Sequence, residues 1–236
     1  KQLIKKIIEL FYTIAEDAEK YSKFFDNFGK NIKYGISLDK DNAKKMHGLL
    51  RYRTTKSEKD YVTLDQYIEN MQKGQTIIYH ITGQNIDLVK DSPFLEKLKE
   101  KNIECLYMVE PVDEYILPEF KEYKGHKLLS VFKDNFKIEG DEKDEKDEKE
   151  LANVCAFIKA KLGESIKDVK ITDKLIDTPC CLVIPIWGWT ANMQRINNAQ
   201  VLSNYDVPMK QLSKMSLEIN PSNPIIQSLK VHVKNK

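Results

Sequence analysis

The stretch "DEKDEKDEKE", residues 141 to 150, sets the strongest limit on what this chain can fold into. Seven acidic and three basic residues in ten leave a local charge of −4, and such a run cannot be desolvated inside a hydrophobic core. The 236-residue chain therefore reads as two parts joined through solvent, each within ordinary domain size. The run itself is expected to be a charged linker over 138–150 that merges into the first turn of the helix after it. Composition allows a core on both sides of the cut, with 41% hydrophobic and 31% charged residues. Lysine plus arginine number 38 against 36 acidic residues, and a net charge of +2 gives no strong attraction to nucleic acid or anionic lipid. Partners are expected to be proteins or small molecules.

Before the run, the first sixty residues are helical in pattern. Leu3, Ile4, Ile7, Ile8, Phe11, Ile14 and Ala15 recur at the spacing of one helix face, and Tyr21, Phe24, Phe25, Phe28 and Ile32 repeat it. A break at Gly35 and a third helix from Asp41 through Leu50 complete a helical connector over 1–60, with no strand signal before residue 75.

Residues 61–137 change rhythm and read as a small α/β subdomain. Thr63 and Gln66 make a capping box for a helix carrying Leu64, Tyr67, Ile68 and Met71. Three β-runs follow, "TIIYHIT" at 76–82, "ECLYMV" at 104–109 and "KLLSVF" at 127–132, separated by a helix from Ser92-Pro93 and another from Pro111 to Leu117. Strands alternating with helices predict right-handed crossovers on a short parallel sheet, an αβα layer unit.

After the run, 151–236 predicts a mixed α/β domain with a small sheet. A helix over Leu151–Leu162 presents Val154, Phe157, Ile158 and Leu162, and strands follow at 169–171 and in the run from Cys180. Pro185 places that strand at an edge or in a bulge, since proline has no amide to donate. The tail predicts a strand, a turn at Asn220-Pro221 and a helix from Pro224. The fold class is α/β, α+β over the whole chain.

Motifs for chemistry are few. Only Gly83 follows the first strand, and neither GxGxxG nor GxxxxGK[ST] occurs, so no phosphate cradle is predicted. Glu110, Asp113 and Glu114 at a strand end are the one candidate for magnesium-dependent phosphoryl transfer. The competing reading is that "EPVDE" caps the next helix. His47, His80, His126 and His232 are scattered and never at ligand spacing. Cys105, Cys155, Cys180 and Cys181 lack zinc spacing and read as free thiols of a reducing compartment. No metal, cofactor or catalytic residue is expected within the chain. The longest apolar run, from Cys180, is about half the ~18 residues of a membrane helix, so no membrane partner is expected. The chain opens with an amphipathic stretch and no methionine, and is expected to be an internal fragment.

That apolar run, "CCLVIPIWGWTANMQRI" at 180–196, is the other anomaly. If the backbone stays extended, Trp187 and Trp189 point the same way across Gly188. Thr190 caps a helix on which Met193, Ile196 and Ala199 form a thin apolar stripe. Both tryptophans buried under the sheet is one reading, and a surface patch of aromatic and methionine side chains that holds proteins is the other. Adjacent Cys180 and Cys181 are reactive-thiol candidates expected on opposite faces of a strand.

The segment "DTPCCLVIPIWGWTANMQRINNAQ" resembles the heat shock protein 90 chaperone family, and "LLRYRTTKS", "TLDQYIENM", "IYHITG", "SPFLEKLKEKNIECLYMVEPVDEY" and "LEINPSNPII" resemble family segments in family order. The resemblance implies the later part of the middle segment up to about residue 137 and the start of the carboxyl-terminal segment beyond it. It implies a parent that is an ATP- and magnesium-dependent homodimeric stress-response chaperone, working with client proteins and co-chaperones, in the cytoplasm or alternatively in the endoplasmic reticulum lumen or another organelle. The fragment itself is then not an enzyme, is monomeric, and offers Trp189, Met193 and Ile196 as client-binding candidates. Trp187 stands where the family has tyrosine and is expected to be buried or without an assignment.

Overall fold

The computed structural model describes residues 2–138, 145–199 and 214–234. Two helices open the chain, α1 (Gln2–Ala15) and α2 (Ala18–Leu38), followed by the single turn α3 (Ala43–Met46), strands β1 (Arg51–Thr54) and β2 (Val62–Thr63), and α4 (Leu64–Glu69). Next come β3 (Ile77–Thr82), α5 (Ile86–Val89), α6 (Glu96–Glu100), β4 (Cys105–Met108), α7 (Pro111–Ile116) and the hairpin of β5 (Glu122–Tyr123) and β6 (His126–Ser130). The last elements are α8 (Glu145–Leu162), β7 (Val169–Ile171), β8 (Cys180–Val183), α9 (Ala191–Asn198), β9 (Ser216–Ile219) and α10 (Pro224–Lys234). They form two compact units, residues 1–90 with 104–129, and residues 91–103 with 130–236.

In the first unit α1 and α2 are amphipathic as their periodicity predicts, and Asp17 caps α2 by accepting from the Lys20 amide. Ile8, Tyr21, Phe25, Ile32 and Ile36 are buried, and the Tyr21 hydroxyl donates to the Leu49 carbonyl at 2.6 Å. The expected break at Gly35 is not there, for α2 continues to Leu38. Met46 packs on Gly35, where an added Cβ would lie 3.5 Å from its sulfur. That packing offsets the ~1 kcal/mol a glycine costs inside a helix. Leu3, Ile4, Ile7 and Leu10 on α1 remain exposed.

The sheet of this unit is larger than expected and mixed, in the order β2-β1-β4-β3-β6-β5. β3 and β4 of the α/β core run parallel, Tyr79 facing Cys105 and Thr82 facing Met108, while β1 joins β4 and β2 antiparallel and β5 pairs antiparallel with β6. β1 is the strand that the reading of residues 1–60 missed. Its buried Tyr52 and Thr54 alternate with Arg51 and Arg53, whose guanidinium groups lie 4.4 and 5.3 Å from the Tyr21 and Tyr61 ring centroids. Stacking on aromatic faces lets an arginine sit on a half-covered strand. The third β-run settles as 126–130, after a tight turn with Lys124 and Gly125 both at positive φ, the conformation that two-residue hairpins prefer.

The second unit carries a three-stranded sheet, β7-β9-β8, with β7 parallel and β8 antiparallel to the central β9. α8 begins at Glu145, inside the charged run; residues 139–144 lie outside the described residues. Leu151 and Val154 of α8 pack with Ile219 and Ile226, and Ile158 and Leu229 flank them. The face is thus shifted toward the amino terminus of the helix, and Leu162 is exposed.

Candidate functional site

The chain from β8 to α9 holds the thin apolar stripe. β8 is an edge strand, as Pro185 requires, and its pairing with β9 ends at Val183, opposite Ser216. The chain then turns: the Gly188 amide donates to the Pro185 carbonyl at 2.8 Å, and the Lys133 ammonium donates to the carbonyls of Gly188 at 2.6 Å and Pro185 at 3.4 Å. This turn overturns the expectation of an extended Trp187-Gly188-Trp189. Trp187 is 85% exposed rather than buried, and Ile186 beside it is 46% exposed. Trp189 is half-buried, so the two indoles stand in different surroundings.

Thr190 starts α9 as the sequence predicts, its side chain accepting from the Met193 amide at 2.9 Å. Met193 and Ile196 are half-buried, Asn192 is buried, and Ala199 is exposed. The stripe is therefore Trp189, Met193 and Ile196, with Leu182, Ile186 and Trp187 exposed in the strand and turn before it. The role of Lys133 carries no local sequence signal, because it acts on carbonyls more than fifty positions away.

Alternation along β8 separates the adjacent thiols. Cys180 is exposed and Cys181 half-buried. Burial first, and then the Glu218 carboxylate it faces across the ladder, push the Cys181 thiol up to about 12. Glu218 is buried, and Lys174 reaches both of its oxygens, at 2.8 and 3.0 Å. A thiol so placed is a weak nucleophile, since the thiolate is the reactive form.

The carboxylates Glu110, Asp113 and Glu114 take their place in the fold rather than around a metal. Asp113 accepts from the Glu110 amide and the two close a capping box on α7. Lys33 of α2 enters from the other side, with its ammonium 2.7 Å from Glu110 and 2.8 Å from Asp113. Lys33 is 2% exposed and also lies 4.5 Å from the Tyr52 ring centroid. Burial raises the Asp113 carboxyl above its ordinary range, with Lys33 opposing. The position a cation would need is held by that ammonium. Among the described residues no group of three or more His, Cys, Asp or Glu is placed to hold a metal ion. Gly83, the one glycine after β3, serves close packing: an added Cβ would come within 2.2 Å of Val89.

Comparison with known proteins gives a consistent result. The Hsp90 protein family model matches residues 1–236. The chain is 37% identical over 233 residues to heat shock protein 90-6, mitochondrial, of Arabidopsis thaliana, covering 97% of this chain and 29% of that protein. It is 36% identical over 236 residues to the chaperone protein HtpG of Geobacter metallireducens, covering 96% of this chain and 35% of that one. The chain thus spans about a third of the length of these relatives. Among solved structures, the middle domain of a Plasmodium falciparum heat shock protein is similar at a TM-score of 0.53 and 36% identity, over 55% of this chain and 54% of that one.

Proposed function

Matched from end to end, the chain belongs to the Hsp90 family, and from that premise we propose that it is the client-holding and coupling portion of an ATP-dependent chaperone. The observation that carries this reading is the segment from Leu182 to Ile196, where Leu182, Ile186 and Trp187 are exposed and Trp189, Met193 and Ile196 are half-buried, although Val183 and Ile184 between them are buried. Apolar surface left open in this way marks binding to other proteins, and methionine adapts to varied partners. Trp189, Met193 and Ile196 are the residues assigned to client contact. ATP and magnesium are taken up by the parent protein outside this chain, which itself performs no catalysis. The parent works as a homodimer with co-chaperones, and the chain alone is monomeric. We assign it to the cytoplasm, with an organelle as the alternative, since one relative is mitochondrial.

The reading is tested by replacing Met193 and Ile196 with serine. Suppression of the aggregation of an unfolded test protein should fall several-fold, while the thermal midpoint moves by no more than a ~1 kcal/mol change implies for half-buried sites. A full-size drop in midpoint with unchanged suppression overturns the assignment.

A further inference from the structure

The outer edge of β8 is a strand-addition site, and we propose that an extended apolar segment of an incompletely folded client pairs there with the backbone of Cys180 and Leu182; this rests on the client-holding reading above. The backbone directions follow from the neighbouring ladder. The Leu217 amide donates to the Asp168 carbonyl and the Ile219 carbonyl accepts from the Thr172 amide, both at 2.9 Å. Leu217 and Ile219 therefore turn their backbone groups toward β7, and Ser216 and Glu218 turn theirs toward β8. In an antiparallel pair only every second residue exchanges hydrogen bonds with its partner. Cys181 and Val183, which face Glu218 and Ser216, are the bonded ones. The amides and carbonyls of Cys180 and Leu182 point the opposite way, to the outside of the sheet.

One step further along, the same outer line is already in use. The Ile184 amide donates to the Phe132 carbonyl and its carbonyl accepts from the Asp134 amide, both at 2.9 Å, with Lys133 paired parallel to Ile184. The edge thus accepts an extended segment at Ile184 and, among the described residues, leaves four backbone groups, two donors and two acceptors, at Cys180 and Leu182. Unpaired donors and acceptors at a two-residue interval are matched by another strand and by little else. A bound segment would lie in line with 132–134 and span about three or four residues, ~10–13 Å.

The side chains select what that segment carries. Cys180 and Leu182 share one face of β8, both exposed, and Ile186 and Trp187 follow on the turn that Lys133 holds. A fixed turn presents Trp187 on a backbone that needs no ordering on binding. The occupant is therefore an extended, alternating apolar stretch, the kind a folded protein keeps in its core.

The test uses the whole chain and two peptides, an acetylated octamer of alternating valine and threonine and the same octamer with consecutive backbone amides N-methylated. Binding is followed by hydrogen exchange at the amides of 180–183. The plain octamer should slow exchange of the Leu182 amide, and methylation should weaken binding at least ~10-fold, as expected when several hydrogen bonds are lost together. Leu182→Pro, which removes an outward amide and leaves the β9 ladder its donors, should weaken the plain octamer as strongly, whereas Leu182→Thr should not. If Leu182→Pro fails to fold, the methylation comparison on the unaltered chain still decides. Equal binding of both octamers overturns strand pairing and leaves the client-holding reading in place, and so does absent octamer binding with intact aggregation suppression. Absence of both octamer binding and aggregation suppression overturns both.

Discussion

His47 lies with its ring 4.3 Å from the Phe120 ring and is 5% exposed. Burial, with Lys44 contributing second, pushes its pKa down to about 4. In the unfolded chain a histidine titrates near ~6.5, so between that value and about 4 the unfolded state binds a proton that the folded state refuses. Stability is then unaffected above pH ~6.5 and falls as the pH drops through the window, at up to ~1.4 kcal/mol per pH unit. His47→Gln should flatten this slope. Denaturant midpoints of the two proteins at pH 7.5 and pH 5 measure it, and parallel pH dependences would show that the ring is solvated. Lys33 belongs to the same scale. Removing one partner of a buried ion pair strands the other charge at a cost of ~3–5 kcal/mol, which is why a lysine at this place identifies Glu110 and Asp113 as structural groups.

At the scale of elements, the loop between β7 and β8 is held from two sides. Glu96, at the start of α6, accepts from the amides of Ile176 at 2.7 Å, Asp177 at 3.1 Å and Thr178 at 3.3 Å, and from the Thr178 hydroxyl. From the other side Asn220 donates to the carbonyls of Ile176 and Thr178, and Asn223 to that of Asp177. Every backbone donor and acceptor of residues 176–178 is engaged, and the loop feeds directly into β8. One carboxylate thereby fastens residues 91–103 to a part of their own unit that lies more than seventy positions later in the chain. Glu96→Ala would leave three amides and a hydroxyl to half-wet surroundings and should cost ~1–3 kcal/mol. The same variant should raise hydrogen exchange at 176–183 far more than in β3. A loss of stability below ~0.5 kcal/mol with no local change in exchange would show that water replaces the carboxylate freely.

Over the whole molecule, the two units are unequally packed. Among the described residues the largest fully buried side chains, including Tyr21, Tyr52, Tyr67, Tyr79 and Phe120, lie in the first unit, and Phe136 alone belongs to the second. Buried apolar volume sets how much free energy local opening costs. The amides of β7 to β9 should therefore exchange before those of β3 and β4 in native-state hydrogen exchange, and the second unit should open at lower denaturant. Simultaneous opening of both at every denaturant concentration would contradict this ranking.

The sequence by itself determined the elements whose signals are local. The Thr63–Gln66 box, the Thr190 cap, the β-runs at 76–82 and 104–109 and the final strand, turn and helix around Asn220 are set by residues near one another in the chain, and the family was legible because long motifs recur in order. Tertiary structure decided what depends on distant partners. Gly35 stays helical because Met46 covers it, and β1 exists because Tyr52 and Thr54 have β4 beside them while Arg51 and Arg53 find rings to stack on. Glu110 and Asp113 became helix cap and ion pair only once α2 brought Lys33 to them. The exposure of Trp187 and the placing of Trp189 followed from Lys133 gripping the turn at Pro185 and Gly188. A cap or a period is written in neighbouring residues, whereas burial of a charge or exposure of an indole is settled by whatever the fold carries in from elsewhere.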